Sequence, residues 1–256
     1  MNRPEEDIQE IIKLNRQRNV ALDSEYNPVN GKGSPIKRVK LWRDGRTYIL
    51  IPLEMAEDPA VKLVLAAGSV KAVCAKYKDT IPLMTPNLLW DELLEKRLDY
   101  DFEYWAFTAI KIQDKESKQP IPFKLRPAQR KLLYELESMR LAGVPIRAIL
   151  LKARQWGGST LIQLYMLWLQ ARRRKNWHSV IVTDVEDQAR TVRSHTSRAI
   201  KNYPKFLGKL DLSPFEGSSK NKIIPSRGCV ISIGSMQKPD SLRSNDFAMM
   251  HLPEVS

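Results

Sequence analysis

The stretch Ile149-Leu-Leu-Lys-Ala-Arg-Gln-Trp-Gly-Gly-Ser-Thr160 decides how this chain is read. An apolar run with strand character leads into a glycine-bearing turn, and the turn opens onto a helix. In a phosphate loop of the form G-x-x-x-x-G-K-[ST], backbone N–H groups and a helix N-terminus face the phosphates, a lysine reaches the β and γ oxygens, and a hydroxyl serves Mg²⁺. Laid on that frame, Lys152 stands in the first glycine's place, Gly157 in the second's, Gly158 in the lysine's and Ser159 in the magnesium hydroxyl's. The loop folds back around the phosphates, so Lys152 at its entrance is the candidate for the missing lysine's work. Arg154 is the second candidate cation. Taken alone, Gly-Gly-Ser-Thr also reads as a plain turn with Ser159 capping a helix.

Around this stretch, strand and helix signals alternate. Gln129 to Leu141 reads as helix, Ile146 to Leu151 as strand, Ser159 to Arg174 as helix and Ser179 to Thr183 as strand. A helix from Glu186 to about Asn202 follows, then a strand near Val230 to Ile233 and an apolar strand from Phe247 to Leu252. Such alternation predicts a parallel sheet with helices on its faces and the phosphate loop at the carboxyl end of its first strand. Upstream, residues 5 to 22 read as an amphipathic helix, and a loop from Tyr26 to Pro35 separates this arm from the body. Lys40 to Pro52 reads as a hairpin around Asp44-Gly45. Helices are expected from Pro59 to Ala67 and from Pro86 to about Phe107.

At 256 residues and 43% hydrophobic content, the chain can bury a sizeable core. No apolar run approaches the roughly 20 residues that span a bilayer, and the N-terminus lacks the plan of a signal peptide, so a cytosolic protein is expected. Cys74 and Cys229 lie far apart without metal-ligand spacing and read as reduced apolar fillers. Forty-two Lys and Arg against 29 Asp and Glu leave a formal charge of +13. That excess fits a polyanionic partner, and it also serves solubility. The cations gather at Lys37 to Arg46, at Arg172 to Lys175 and between Lys201 and Lys222. Arg190, Arg193 and Arg198 share a helix whose basic face reads first as solvated, and the three histidines, His178, His195 and His251, show no metal spacing.

Three segments in order, Phe123-Lys-Leu-Arg-Pro-Ala-Gln129, Lys152-Ala-Arg-Gln-Trp-Gly-Gly-Ser-Thr160 and Met249-Met-His-Leu-Pro-Glu-Val-Ser256, resemble the ATPase part of a tailed-phage terminase large subunit. The resemblance runs from about residue 102 to residue 256, and the lysine-first loop also occurs in that family. It implies an α/β P-loop NTPase with a mostly parallel sheet flanked by helices, incomplete at its C-terminal end and occupying residues 101 to 256. A smaller mixed α+β region of unknown role would fill residues 1 to 100. The implied activity is Mg²⁺-dependent ATP hydrolysis driving double-stranded DNA into a procapsid in the bacterial cytoplasm. The implied partners are a portal protein, a small terminase subunit and further copies in a homo-oligomeric ring.

The same resemblance implies roles for individual residues. Gln129, about two dozen residues before the loop, would read adenine, because its amide both donates and accepts. Phe123 would stack on the base. Lys152, Arg154, Gln155, Trp156, Gly157, Gly158, Ser159 and Thr160 would hold the phosphates, with Ser159 on Mg²⁺. Glu254 would position or deprotonate the attacking water, and Arg243, eleven residues earlier, would act as an arginine finger on the neighbouring subunit's ATP. Each of these has a plainer reading as a solvated side chain. The family places an aspartate, or in some members a serine, before the glutamate, whereas this chain has Pro253, which offers neither charge nor hydroxyl. The chain stops two residues after Glu254, so a fragment or truncated reading frame is expected, with the family's nuclease downstream and no nuclease chemistry here. A helicase or remodelling ATPase shares the order of glutamine and loop, and a non-hydrolysing DNA-binding or assembly module is the rival of a different class.

Overall fold

Val39 and Leu41 alternate with Arg38 and Lys40 in a period of two, whereas Ile49, Leu50 and Ile51 form a continuous apolar, buried run, and together the two segments make the first sheet. Strands β1 (Arg38–Trp42) and β2 (Tyr48–Pro52) pair antiparallel, from Arg38 opposite Pro52 to Trp42 opposite Tyr48. The expected two-residue turn is instead the five residues Arg43 to Thr47. Asp44 shapes it, its carboxylate accepting from the N–H groups of Arg46 and Thr47 at 2.8 Å. The computed structural model describes residues 36–113, 119–151, 156–204, 221–237 and 246–253. The expected arm helix and the loop after it lie outside the described residues.

Two units divide the chain, one holding residues 1–105 and 130–148, the other 106–129 and 149–256. In the first unit, a 3-10 turn (Leu53–Glu57) leads to α1 (Pro59–Ala67). Asp58 caps α1 by accepting from Ala60 N–H, Pro59 opens it without wasting a donor, and left-handed Gly68 ends it. Ser69 caps α2 (Val70–Lys76) and Thr85 caps α3 (Pro86–Tyr100) in the same way. Leu41, Ile51, Met55, Val61, Val73, Trp90 and Leu93 form the core between hairpin and helices.

The single helix expected from Pro86 to Phe107 is two. Asp101 takes extended backbone at φ −120° and ψ 93°, ends α3, and accepts from Tyr104 N–H at the start of α4 (Phe102–Ala109). Arg38 and Arg97 hold its carboxylate at 2.8 and 3.0 Å, all three side chains being almost wholly buried. Burial pushes the carboxyl upward, but the two guanidinium groups outweigh it and keep Asp101 well below the usual carboxylate range.

In the second unit a short ribbon, β3 (Lys111–Gln113) with β4 (Pro120–Pro122), precedes the start of α5 (Pro127–Leu141), a helix that from Arg130 onward belongs to the first unit. Further along the chain come α6 (Gly158–Trp168), a π-helical turn (Leu169–Arg173), β5 (His178–Thr183) and α7 (Glu186–Lys201). β6 (Asn221–Ile224), β7 (Cys229–Ser235) and β8 (Met249–His251) complete the described elements. The sheet order is β6-β7-β5-β8. β5 runs parallel to both β7 and β8, whereas β6 is antiparallel to β7, so the sheet is mixed. The described chain is therefore mixed α and β with a small, partly parallel sheet.

The strand expected at Ile146 to Leu151 does not form. Those residues have no regular secondary structure, and Ile149 and Leu151 are fully exposed. The apolar, β-branched run has the right composition, but a strand exists only through pairing with another backbone, and this run has no such partner among the described residues. β8 pairs with β5. Cys74 and Cys229 are free and buried. Among the described residues no helix is long and apolar enough to cross a membrane.

Candidate functional site

Gly157 sits at the mouth of α6 with φ 85° and ψ 19°, the left-handed region that glycine enters without strain. It is the residue before the first helical one and carries no side-chain cap, so the opening N–H groups of α6 keep their partial positive charge. Ser159 lies inside the helix, which removes the reading of Ser159 as its cap.

Gln129, in the first turn of α5, is 4% exposed. Its Oε1 accepts from Arg126 N–H at 2.9 Å, and its Nε2 donates to the carbonyl of Gly157 at 3.0 Å. The amide thus joins the segment before α5 to the glycine turn. By its bonding inventory it keeps one further donor and one further acceptor position. A Cβ on Gly157 would fall 2.7 Å from Gln129 Nε2, so space and backbone both demand glycine here.

Gly158 is glycine for another reason. A Cβ there would lie 2.4 Å from Cζ2 of Trp156, whose indole covers the position that holds lysine in the usual loop. The indole Nε1 is buried without a hydrogen-bond partner among the described residues. A conventional lysine cannot be built at 158 unless the indole moves.

Beside this turn lies a cavity of about 550 Å³. Phe123, Gln129, Trp156, Gly157 and Thr160 line it on the side of the glycine turn, and Ile112, Leu164, Leu167, His195 and Arg198 line it elsewhere. Phe123 is 4% exposed and held by its backbone, its N–H donating to Ile110 O at 2.9 Å. Burial, with help from the neighbouring Arg198, pushes His195 below the ordinary histidine value. Arg198 donates to Gln113 Oε1 at 3.2 Å.

Phe123, Gln129, Trp156, Gly157 and Thr160 thus meet at one cavity, with Gly158 and Ser159 in the adjoining helical turn. Lys152, Arg154, Gln155, Arg243 and Glu254 lie outside the described residues. Pro253 follows the carboxyl end of β8 at a bend. Among the described residues no group of three or more His, Cys, Asp and Glu side chains is placed to hold a metal ion.

Sequence reasoning missed the far wall of the cavity. Of the basic α7 residues read as solvated, Arg190 and Arg198 are exposed, Arg190 with Asp187 beside it and Arg198 at the cavity, whereas Arg193 reaches Glu186 and the Ile233 carbonyl. Only the distribution of cations along α7 hinted at this. No protein-family model matches the chain, and no curated protein matches it.

Proposed function

We propose that this chain is the ATPase portion of a DNA-packaging motor of the terminase large-subunit type, hydrolysing ATP to move double-stranded DNA. The observation that carries the reading is the meeting of Gln129 with Gly157 at the edge of a cavity that also borders the α6 N-terminus. Its volume lies in the range of small-molecule sites. Apolar walls and the remaining donor and acceptor of Gln129 suit a nucleobase edge, and the first turn of α6 suits phosphate oxygens.

In this reading Phe123 supports the base, while Lys152 and Arg154 supply the cations that Gly158 lacks. Ser159 Oγ is the one loop hydroxyl assigned to Mg²⁺, whose remaining ligands would be phosphate oxygens and water. Bound there, the metal would neutralise charge on the β and γ oxygens. Glu254 holds the attacking water, and Arg243 serves the nucleotide of an adjacent copy in a ring. The portal and small-subunit partners belong to the same proposal.

Pro253 supports a second reading, a nucleotide-binding module that does not hydrolyse, because the residue before Glu254 brings no metal ligand. Calorimetric titration of the full chain with Mg·ATP, Mg·GTP and tripolyphosphate tests the site. ATP binding at micromolar to submillimolar concentration, tighter than GTP, is expected. Absence of ATP binding at several millimolar overturns both readings.

A further inference from the structure

The π-helical turn Leu169–Arg173 ends α6 and delivers four consecutive cations, Arg172 to Lys175, at the amino end of β5. Arg227 joins them from the 3-10 turn before β7. Its Nε donates to the carbonyls of Gln170 and Arg174 at 2.8 and 3.0 Å, and its own carbonyl accepts from Asn176 N–H at 2.9 Å. Beneath them Gln170 is fully buried. Its Nε2 donates to the carbonyls of Trp177 and Val230, and its Oε1 accepts from Ser179 Oγ. The backbone bearing the charge is therefore built and fixed, and π-helical turns of this kind recur at functional places.

Residues 168 to 180 and 224 to 231 contain no Asp or Glu, and none of their large apolar side chains is among the exposed ones. Arg174 and Lys175 are exposed, and the Arg174 guanidinium lies 4.8 Å from the Trp177 ring centre, which pre-orders it. A surface with concentrated positive charge, rigid support and no apolar anchor suits a polyphosphate chain better than a bilayer or an apolar protein interface. The eleven residues of α6 span about 16 Å between it and the glycine turn, and neither Arg227 nor any of Arg172 to Lys175 lines the cavity.

We infer that this cluster is a contact surface for the phosphate backbone of a nucleic-acid duplex, gripping it without regard to sequence. The inference rests on the duplex-binding part of the proposed function and not on ATP chemistry. Arginine forks and a lysine engage successive phosphates and release counterions, leaving the bases unread.

The test measures binding of the full chain to a 30-base-pair DNA duplex by fluorescence anisotropy between 50 and 200 mM salt. Arg174→Ala/Lys175→Ala is compared with Lys40→Ala/Arg46→Ala, which removes equal charge from the β1–β2 hairpin. The Arg174/Lys175 pair is expected to lower the slope of log affinity against log salt by about two and affinity near 0.1 M on the order of tenfold. The hairpin pair is expected to change little. Equal losses from both pairs would mean bulk charge and overturn the inference, as would an unchanged slope in the Arg174/Lys175 variant. In those cases duplex binding itself still stands. No duplex binding by the unaltered chain overturns the inference and the packaging reading of its partner together. Binding to phosphatidylserine vesicles but not to duplex, lost with Arg174 and Lys175, assigns the surface to lipid and also overturns it. Circular dichroism checks folding. If the double variant does not fold, Lys175→Ala alone must lower the slope by about one.

Discussion

The side-chain amide of Gln129 donates to the carbonyl of Gly157 at 3.0 Å, and a Cβ on Gly157 would meet that same amide nitrogen at 2.7 Å. One contact therefore sets both the position of the glycine turn and the residue it admits. It also gives Gln129 a structural duty beside any role in reading a base.

Gly157→Ala is expected to destabilise the protein by about 1–2 kcal/mol from the left-handed backbone alone, with more from displacing Gln129. Gln129→Ala leaves the Arg126 N–H and the Gly157 carbonyl short of a partner, at about 1–3 kcal/mol if they stay dry. The two changes damage one contact, so urea unfolding of the double variant should show a loss smaller than the sum. Strict additivity would contradict the coupling.

Gly158→Lys writes the usual phosphate-loop lysine back into the chain, and it is expected to fail. Its Cβ would fall 2.4 Å from the Trp156 ring, so overpacking should cost about 1–3 kcal/mol with no gain in ATP affinity. Adding Trp156→Ala removes the obstruction and should recover much of that stability. Thermal unfolding and ATP titration of both singles and the double check this, and an unperturbed Gly158→Lys single would sink it.

What was readable in the sequence followed from locality. α1 was visible in full because Asp58, Pro59 and Gly68 mark its two ends within the segment itself. The division at Asp101 was not, since it depends on Arg38, 63 residues away. Ile146 to Leu151 carried strand composition, yet pairing is non-local and did not occur. At the site, Phe123, Gln129 and the glycine turn were legible as one group only through the resemblance that the two motifs carry. His195 and Arg198 were not, because a cavity wall made of α7 and β3 leaves no mark on either segment alone. The indole over Gly158 is equally non-obvious: from sequence the position shows only a glycine where the usual phosphate loop has lysine.

Asp101 makes acid sensitivity testable. Its folded pKa is depressed, because Arg38 and Arg97 outweigh the opposing effect of burial. Its contribution is therefore complete above the unfolded aspartate value of about 3.9 and is lost as pH falls through the lower folded value. Asp101→Asn leaves two guanidinium groups buried without their counter-charge and should cost about 3–5 kcal/mol at pH 7. Urea unfolding between pH 7 and 2.5 should show the gap between the two proteins constant down to about pH 5 and shrinking below 4. A gap that does not narrow in acid would remove the charge from the explanation.

Under the proposed ATPase reading, substitutions at Lys152 and Glu254 should separate binding from turnover. If Lys152 supplies the charge absent at Gly158, Lys152→Ala should weaken ATP binding severely, about tenfold or more for the loss of one charge-assisted contact of 1.5–3 kcal/mol. Unchanged affinity would hand the role to Arg154. Glu254→Gln keeps the size but not the basicity of the side chain, so ATP should stay bound while hydrolysis falls by about 10²–10⁴. Pro253→Asp supplies the carboxylate that the resembled family places before the glutamate, and it should sharpen the Mg²⁺ dependence or raise the rate. Calorimetry and a phosphate-release assay on the folded protein read both quantities. Tight ATP binding with no turnover in the parent, unmoved by either Glu254→Gln or Pro253→Asp, would decide for the non-hydrolysing module over the motor.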